Sequence, residues 1–208
     1  MAAVELPDLV DPSHSVLCMV ECQNGVIGAE SNFPALADAA AEMLPALVAL
    51  AAVARGAGVK VVHATAQVKP DRWGANDNAR LFGVARRSPV QLLAGSSAAE
   101  PIPELGFDAA TDVVVPRFHG LSPFSGTELV HLLRNEGITT VVLAGVSLNV
   151  AIPNSVFDLV NAGFQVVVAT DCVVATPPDY GEQVLANTLA YVATLATAAD
   201  VATAWPQK

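Results

Sequence analysis

Three polar residues follow apolar segments of this chain, and their side chains suit acid–base chemistry. Glu21 ends the apolar run of residues 15–21, while Arg117 and His119 follow the valine-rich run of residues 112–115. A carboxylate at the end of an apolar strand is costly to bury unless it is paired. Glu21 is therefore interpreted as a structural acid that bridges Arg117, or as a catalytic acid or base whose protonation Arg117 controls. His119 could transfer a proton near neutral pH or could be an ordinary loop residue.

A second group of candidates lies in the turn SLNVA at residues 147–151. The pattern predicts that a helix begins near Val150, so its N-terminal amides would point toward the same end of the molecule as Glu21. Amides in that position bind anions or stabilise an oxyanion. The hydroxyl of Ser147 has no evident base beside it, which argues against a nucleophilic role. The predicted substrate-binding residues are Gln23, Phe118, Ser147, Asn149 and Val150.

The elements that position these residues alternate between strands and helices. Short apolar runs predict strands at residues 15–21, 59–65, 112–115, 139–145 and 165–170, with an edge strand at 200–204. Helices are predicted at residues 35–57, 78–86, 127–136, 150–162 and 180–197, the first of them kinked or divided by Pro45. This alternation is typical of βαβ units and predicts a three-layer α/β/α fold with a mostly parallel sheet. Ligands of such sheets bind beyond the carboxyl ends of the strands, where the candidate residues lie.

Residues 67–110 are the least regular part of the chain, with several prolines and glycines. A segment of this length is more often a lid or a pocket wall than a linker. Phe118, Phe124 and Trp73 could add an apolar surface that suits a ring-bearing small molecule, although each could equally pack in the core.

Composition limits the possible functions. The 208 residues are 53% hydrophobic and 14% charged, which predicts one folded domain over residues 1–208 that needs no metal or disulfide to fold. The net charge of -10, without clustered lysines and arginines, argues against binding of nucleic acid or of anionic membranes. The low charge content points to subunit interfaces, and we expect a homo-oligomer, either a dimer or a tetramer.

Several motifs are absent from the sequence. The longest apolar stretch, residues 35–53, is interrupted by Asp38, Glu42 and Pro45, so we expect no membrane span. Residues 1–10 include Glu5 and Asp8 and have no basic start followed by an apolar run, so we expect no signal peptide. The three cysteines have no metal-binding spacing, and no glycine-rich nucleotide motif occurs. These observations predict a cytoplasmic protein with reduced cysteines, no metal and no organic cofactor.

Three segments resemble the isochorismatase-like, or cysteine hydrolase, superfamily. VECQNGVIG at residues 20–28 resembles its D-x-Q-N strand end, and SPFSGTEL at residues 122–129 resembles its S-A-F-x-G-T-x-L segment. Residues 139–172 resemble its strand–turn–helix–strand signature, G-x-x-T-x-x-C. The chain is identified as a member over nearly its whole length. The resemblance implies a Rossmann-like, six-stranded parallel sheet, a small-molecule substrate, a homo-oligomer and a cis peptide bond between Val146 and Ser147.

The amidases of this superfamily use aspartate, lysine and cysteine, and this sequence departs from all three. The aspartate position holds Glu21, the lysine position falls at Arg117 or Phe118, and the cysteine position holds Ala151. A methyl group cannot attack a carbonyl carbon. Cys22 is no evident substitute, because its side chain should point away from the side of Glu21 on the strand.

These departures leave three functions open. The first is a hydrolase without covalent catalysis, which cleaves a vinyl ether or an amide. In it, Glu21 acts as an acid, or as a base that activates water while His119 acts as the acid. An adjacent guanidinium favours the ionised carboxylate and so opposes the acid role. The second is a catalytically degenerate member that binds a small molecule or a partner without turnover. The third is a structural or assembly protein in which the former active site is vestigial.

Overall fold

The computed structural model describes residues 4–206, which are organised around one six-stranded sheet. Its strands are β1 (Ser15–Val20), β2 (Lys60–Ala66), β3 (Asp112–Arg117), β4 (Thr140–Val146), β5 (Gln165–Val174) and β6 (Thr194–Ala196). Every neighbouring pair is parallel, in the order β3-β2-β1-β4-β5-β6. The predicted α/β fold with a parallel sheet is therefore confirmed. The order reverses between β1 and β4, which makes their carboxyl ends the expected place for a ligand.

Helices cover both faces of this sheet. The described residues contain α1 (Leu6–Leu9), α2 (Pro34–Ala57), α3 (Arg80–Arg87), α4 (Leu129–Asn135), α5 (Ala151–Asn161), α6 (Pro178–Asn187) and α7 (Ala198–Ala204). Successive residues of β4 point to opposite faces, so Val142 packs in the same core as α2 and α7. Leu143 packs in the other core, with α4, α5 and α6. The result is the three-layer arrangement that the alternation of elements predicts.

The long helix α2 covers its predicted range. It runs without interruption through Pro45, which therefore does not divide it. Its length and apolar composition would also suit a membrane span, contrary to what its charged residues and proline led us to expect. In the structure, one side of α2 is buried in a core that includes strands of the sheet. The buried residues of α2 are Ala40, Met43, Leu47, Leu50, Ala51, Ala54 and Ala57.

The prediction for the C-terminal part of the chain was wrong. Residues 180–197 do not form one helix, because α6 ends at Asn187 and a short strand, β6, follows at Thr194–Ala196. Residues 200–204 are helical in α7 rather than an edge strand. A capping box starts α7, since the Thr197 hydroxyl accepts from the Asp200 amide at 3.1 Å and the Asp200 carboxylate accepts from the Thr197 amide at 3.0 Å.

Candidate active site

A cavity of about 450 Å³ lies at the carboxyl ends of the central strands, and its size is typical of small-molecule sites. Much of its wall comes from residues 66–92, as predicted for part of the irregular segment. The structure brings all but one of the predicted site residues to this wall. Those present are Glu21, Arg117, Phe118, His119, Ser147, Asn149, Val150 and Ala151.

Glu21 and Arg117 form an ion pair beside the cavity. Glu21 directly follows β1 with a positive φ of 54°, and its amide donates to the Ala64 carbonyl at 2.8 Å. Arg117, the last residue of β3, donates from Nη2 to Glu21 Oε1 and from Nη1 to the Gly120 carbonyl at 2.7 Å. The side chain of Glu21 is only 17% exposed, and that of Arg117 is 11% exposed. The pair therefore presents a carboxylate whose second oxygen, Oε2, accepts no hydrogen bond from residues 4–206.

The structure corrects the predicted role of Gln23 in substrate binding. Gln23 has no exposed surface and does not reach the cavity. Its Nε2 donates to the carbonyls of Ala66 at 2.9 Å and Ala99 at 2.8 Å, and its Oε1 accepts from the Ala66 amide at 2.7 Å. All of these partners are backbone groups. Gln23 therefore ties the end of β1 to the end of β2 and to the loop that contains Ala99.

The turn after β4 supplies backbone donors. The peptide bond between Val146 and Ser147 is cis, as the family resemblance implied. The Ser147 carbonyl accepts from the amides of Val150 at 3.2 Å and Ile152 at 3.0 Å. Within the described chain, the amides of Ser147 and Ala151 donate to no protein acceptor, although both residues line the cavity. These two unpaired N–H groups, one directly after β4 and one at the first residue of α5, can bind a carbonyl oxygen or the oxyanion that forms from it.

Asn149 holds this turn in place. Its side-chain nitrogen donates to the Thr176 carbonyl at 2.8 Å, and its side-chain oxygen accepts from the Thr176 amide at 3.0 Å. Asn149 lies on the cavity wall, but its amide group is already used by this pair of bonds. The side chain therefore stabilises the turn that presents Ser147 and Ala151.

Gly145 allows the ends of β1 and β4 to lie close together, a role that the sequence analysis missed. Its φ is 104°, and a Cβ atom placed there would lie 2.2 Å from the carbonyl oxygen of Val20. Only glycine permits β1 and β4 to approach this closely at their carboxyl ends. Because Glu21 directly follows Val20 and Ser147 follows shortly after Gly145, this contact places the carboxylate and the unpaired amides at one edge of the sheet.

His119 and Phe118 line the cavity from the loop after β3. His119 is exposed, and its ring lies so close to Gly126 that a Cβ there would approach Cε1 to 2.8 Å. The amino group of Lys69 is 5.7 Å from the centre of the Phe118 ring. The other aromatic candidates are absent from the wall, since Phe124 is in the core and Trp73 is 77% exposed.

All three cysteines are buried free thiols, and none of them lines the cavity. Burial raises the pKa of Cys18 and of Cys22 well above the usual range of thiols. Burial, with a smaller contribution from Asp171, raises the pKa of Cys172 to about 12. The thiolate is the nucleophilic form of cysteine, so these residues are inert near neutral pH.

The sequence analysis also missed polar residues from the irregular segment. Arg72, with a φ of 57°, and Arg86 both line the cavity. Asn76 accepts through Oδ1 from the Gly120 amide at 2.7 Å, which ties this segment to the loop after Arg117. Only the prolines and glycines of the segment pointed to a pocket wall, and no motif singled out these side chains. Across residues 4–206, no group of three or more His, Cys, Asp or Glu side chains is placed to hold a metal ion.

The comparisons with known proteins agree with this fold. The Isochorismatase domain model matches residues 15–200, so the chain belongs to the isochorismatase family. Maleamate amidohydrolase from Pseudomonas putida is 33% identical over 127 residues, which are 60% of this chain and 56% of that protein. The match thus spans little more than half the length of this relative.

Solved structures of the family share the fold at low sequence identity. An isochorismatase family protein from Desulfovibrio vulgaris superposes with a TM-score of 0.79 at 24% identity, covering 91% of this chain and 96% of that chain. A cysteine hydrolase from Pseudomonas syringae also has a TM-score of 0.79, at 20% identity, and covers 98% of both chains.

Proposed function

We propose that this protein hydrolyses a small molecule in the described cavity without forming a covalent intermediate. One observation carries the proposal: the carboxyl group of Glu21 and two unpaired backbone amides, those of Ser147 and Ala151, border the same cavity. Such an arrangement suits a reaction in which a base activates the nucleophile while N–H groups stabilise developing negative charge on oxygen. Ala151 cannot act as the nucleophile, and no thiol lines the cavity. The Ser147 hydroxyl on the wall has no base hydrogen-bonded to it among the described residues, so we assign the role of nucleophile to water.

The reaction that fits best is hydrolysis of an amide. Glu21 accepts a proton from water as the water oxygen attacks the carbonyl carbon, and the carbonyl oxygen gains negative charge beside the amides of Ser147 and Ala151. The C–N bond then breaks, and His119 donates a proton to the leaving nitrogen. The products are a carboxylate and an amine or ammonia. The name of the maleamate amidohydrolase relative favours an amide over a vinyl ether as the bond cleaved.

Glu21 is assigned as a base because its ion pair with Arg117 occupies only one of its two carboxylate oxygens. The guanidinium donates a hydrogen bond to Oε1 of Glu21 and none to Oε2, which leaves Oε2 able to accept a proton from water.

The second candidate is a member that binds a small molecule without turnover. It is favoured by the same ion pair, because Arg117 also donates to the Gly120 carbonyl and could hold Glu21 in a purely structural role. We propose a homo-oligomeric assembly and a cytoplasmic location for either function.

The test compares wild type, Glu21→Gln and Glu136→Gln. Glu136 is exposed at the end of α4 and is absent from the cavity wall, so its variant makes the same chemical change away from the site. Each protein is incubated with isochorismate and with a set of small linear and cyclic amides, and products are identified by mass spectrometry. We expect product from wild type and Glu136→Gln, and a rate roughly 10²–10⁴-fold lower with Glu21→Gln, as for loss of a general base.

Full activity in Glu21→Gln would end the assignment of Glu21 as the base. If none of the three proteins forms product while wild type binds one of these compounds in a calorimetric titration, the non-catalytic function is supported instead. Identification of the product names the bond that is cleaved.

A further inference from the structure

The cavity wall carries an excess of positive charge, although the whole chain has a net charge of -10. Three arginines line it, namely Arg72, Arg86 and Arg117, whereas Glu21 is the one carboxylate among the described residues of the wall. Glu21 and Arg117 neutralise each other as an ion pair. The cavity therefore retains two cationic side chains that no acidic residue of its wall compensates.

The arginines differ in how far their donors are already used. The guanidinium of Arg117 donates to both Glu21 and the Gly120 carbonyl. Arg72 is partly buried and makes one side-chain hydrogen bond, from Nη2 to Gln91 Oε1, so its other N–H groups have no acceptor within residues 4–206. Arg86 lies on α3 and is exposed. Of the three arginines, Arg72 is the one that is partly buried, is not paired with Glu21 and still has guanidinium N–H groups without an acceptor within residues 4–206.

Arg72 is also held in a defined position. Its partner Gln91 donates from Nε2 to the carbonyls of Ser88 at 2.5 Å and Ala85 at 3.1 Å, which anchors the pair to the end of α3. The loop that follows Arg72 is tied by Asn76 to Gly120. Gly120 in turn accepts a hydrogen bond from Arg117, the partner of Glu21. A chain of hydrogen bonds thus links the segment that carries Arg72 to the ion pair.

We propose that Arg72 binds an anionic group of the substrate, and that the group is a carboxylate. The planar guanidinium matches a carboxylate with two parallel hydrogen bonds, and partial burial strengthens such a charged contact. The apolar side chains of Phe82 and Leu92 on the same wall suit a hydrocarbon skeleton between the two polar ends. The substrate class is therefore a small carboxylic acid that also contains a hydrolysable carbonyl group. The assignment of that carbonyl end rests on the proposed function, whereas the anion site itself does not.

The test measures binding of two compounds that contain no hydrolysable bond. 4-Oxopentanoate has a ketone and a carboxylate, and hexan-2-one has the same ketone on a neutral chain of similar length. Dissociation constants are measured at pH 7 by NMR titration for wild type, Arg72→Gln and Arg87→Gln. Arg87 lies on α3 but is absent from the cavity wall, so its variant removes the same charge outside the site.

We expect wild type and Arg87→Gln to bind 4-oxopentanoate at least about tenfold more tightly than hexan-2-one, as for a charge-assisted bidentate contact. In Arg72→Gln the preference should fall to about twofold or less, with hexan-2-one binding unchanged. If Arg72→Gln is poorly folded, Arg72→Lys replaces it, and loss of the planar fork should reduce the preference by about threefold or more. A preference that is absent from wild type, or that survives in the Arg72 variant, overturns the proposal.

The result is independent of turnover. Selective binding through Arg72 without any activity in the Glu21 experiment would mean that the cavity recognises carboxylates but does not hydrolyse them. Activity without this selectivity would mean that the hydrolase assignment holds and that Arg72 does not define the substrate.

Discussion

The approach of β1 and β4 at Gly145 can be tested by adding one methyl group. In Gly145→Ala, the new Cβ would lie 2.2 Å from the carbonyl oxygen of Val20, 2.7 Å from its nitrogen and 3.0 Å from its carbonyl carbon. All three contacts are with backbone atoms, so no flexible side chain can move aside. The strands must separate where Glu21 and Ser147 follow them, and we expect both stability and the geometry of the site to suffer.

The cost has two parts. An alanine forced to keep a φ of 104° loses about 1–3 kcal/mol in backbone strain. Forcing extra volume into a close-packed interior costs about 1–3 kcal/mol more. We therefore expect Gly145→Ala to lower the free energy of unfolding by about 2–6 kcal/mol, a large share of the roughly 5–15 kcal/mol that is typical of a domain.

Gly163→Ala is the matched control. Gly163 has a φ of 87°, but nothing lies within 4 Å of its added Cβ, so its variant incurs only the backbone strain. Both changes alter the entropy of the unfolded chain equally, and this contribution cancels in the comparison. Urea titrations followed by circular dichroism give the two free energies of unfolding. Equal destabilisation by the two variants would refute the argument from crowding.

Further predictions concern a buried charge network and the assembly. Asp112 accepts from Arg55 Nη2 at 2.7 Å and contacts His63 Nε2 at 2.9 Å, so Asp112→Asn should cost about 3–5 kcal/mol in urea titrations. The Arg55, His63 and Thr111 hydrogen bonds outweigh burial and hold the pKa of Asp112 below its usual range, while burial lowers the pKa of His63. For both groups the unfolded chain binds protons more readily. Stability measured against pH should therefore fall below about pH 6.5 and again below about pH 4, and a flat profile would contradict this. Light scattering after size exclusion should show a dimer or tetramer, and a monomer would contradict the expected oligomer.

The central elements of the fold were predictable because their signal is local. Runs such as VVLAGV in β4 are apolar on both faces of the strand, which is typical of a parallel sheet covered by helices. The C-terminal part was less predictable, because its alanine-rich sequence has no clear period. There the division into α6, β6 and α7 follows from tertiary contacts, such as the hydrogen bond from the Ala198 amide to Asp171 at 2.7 Å.

The candidate site was predictable where it follows the strand ends. Glu21 and Arg117 were singled out because polar residues after buried strands of a parallel sheet share one edge. Gln23 satisfies the same rule, yet the backbone of Ala66 and Ala99 uses its amide group completely. Neither partner is near Gln23 in sequence, so no local pattern could separate its role from that of Glu21.

By itself, the sequence determined the family, the parallel sheet and the position of Glu21, Arg117 and the turn at residues 147–151. These depend on hydrophobic periodicity and on short motifs, both of which are read within a few residues. Only the tertiary structure decided which donors and acceptors remain free for a ligand. Arg117 is engaged by Glu21 and Gly120, whereas Arg72, on a segment that distant hydrogen bonds hold in place, keeps donors available. The physical reason is that a polar group becomes a binding group only when the rest of the fold leaves it unsatisfied, and its partners are distant in sequence.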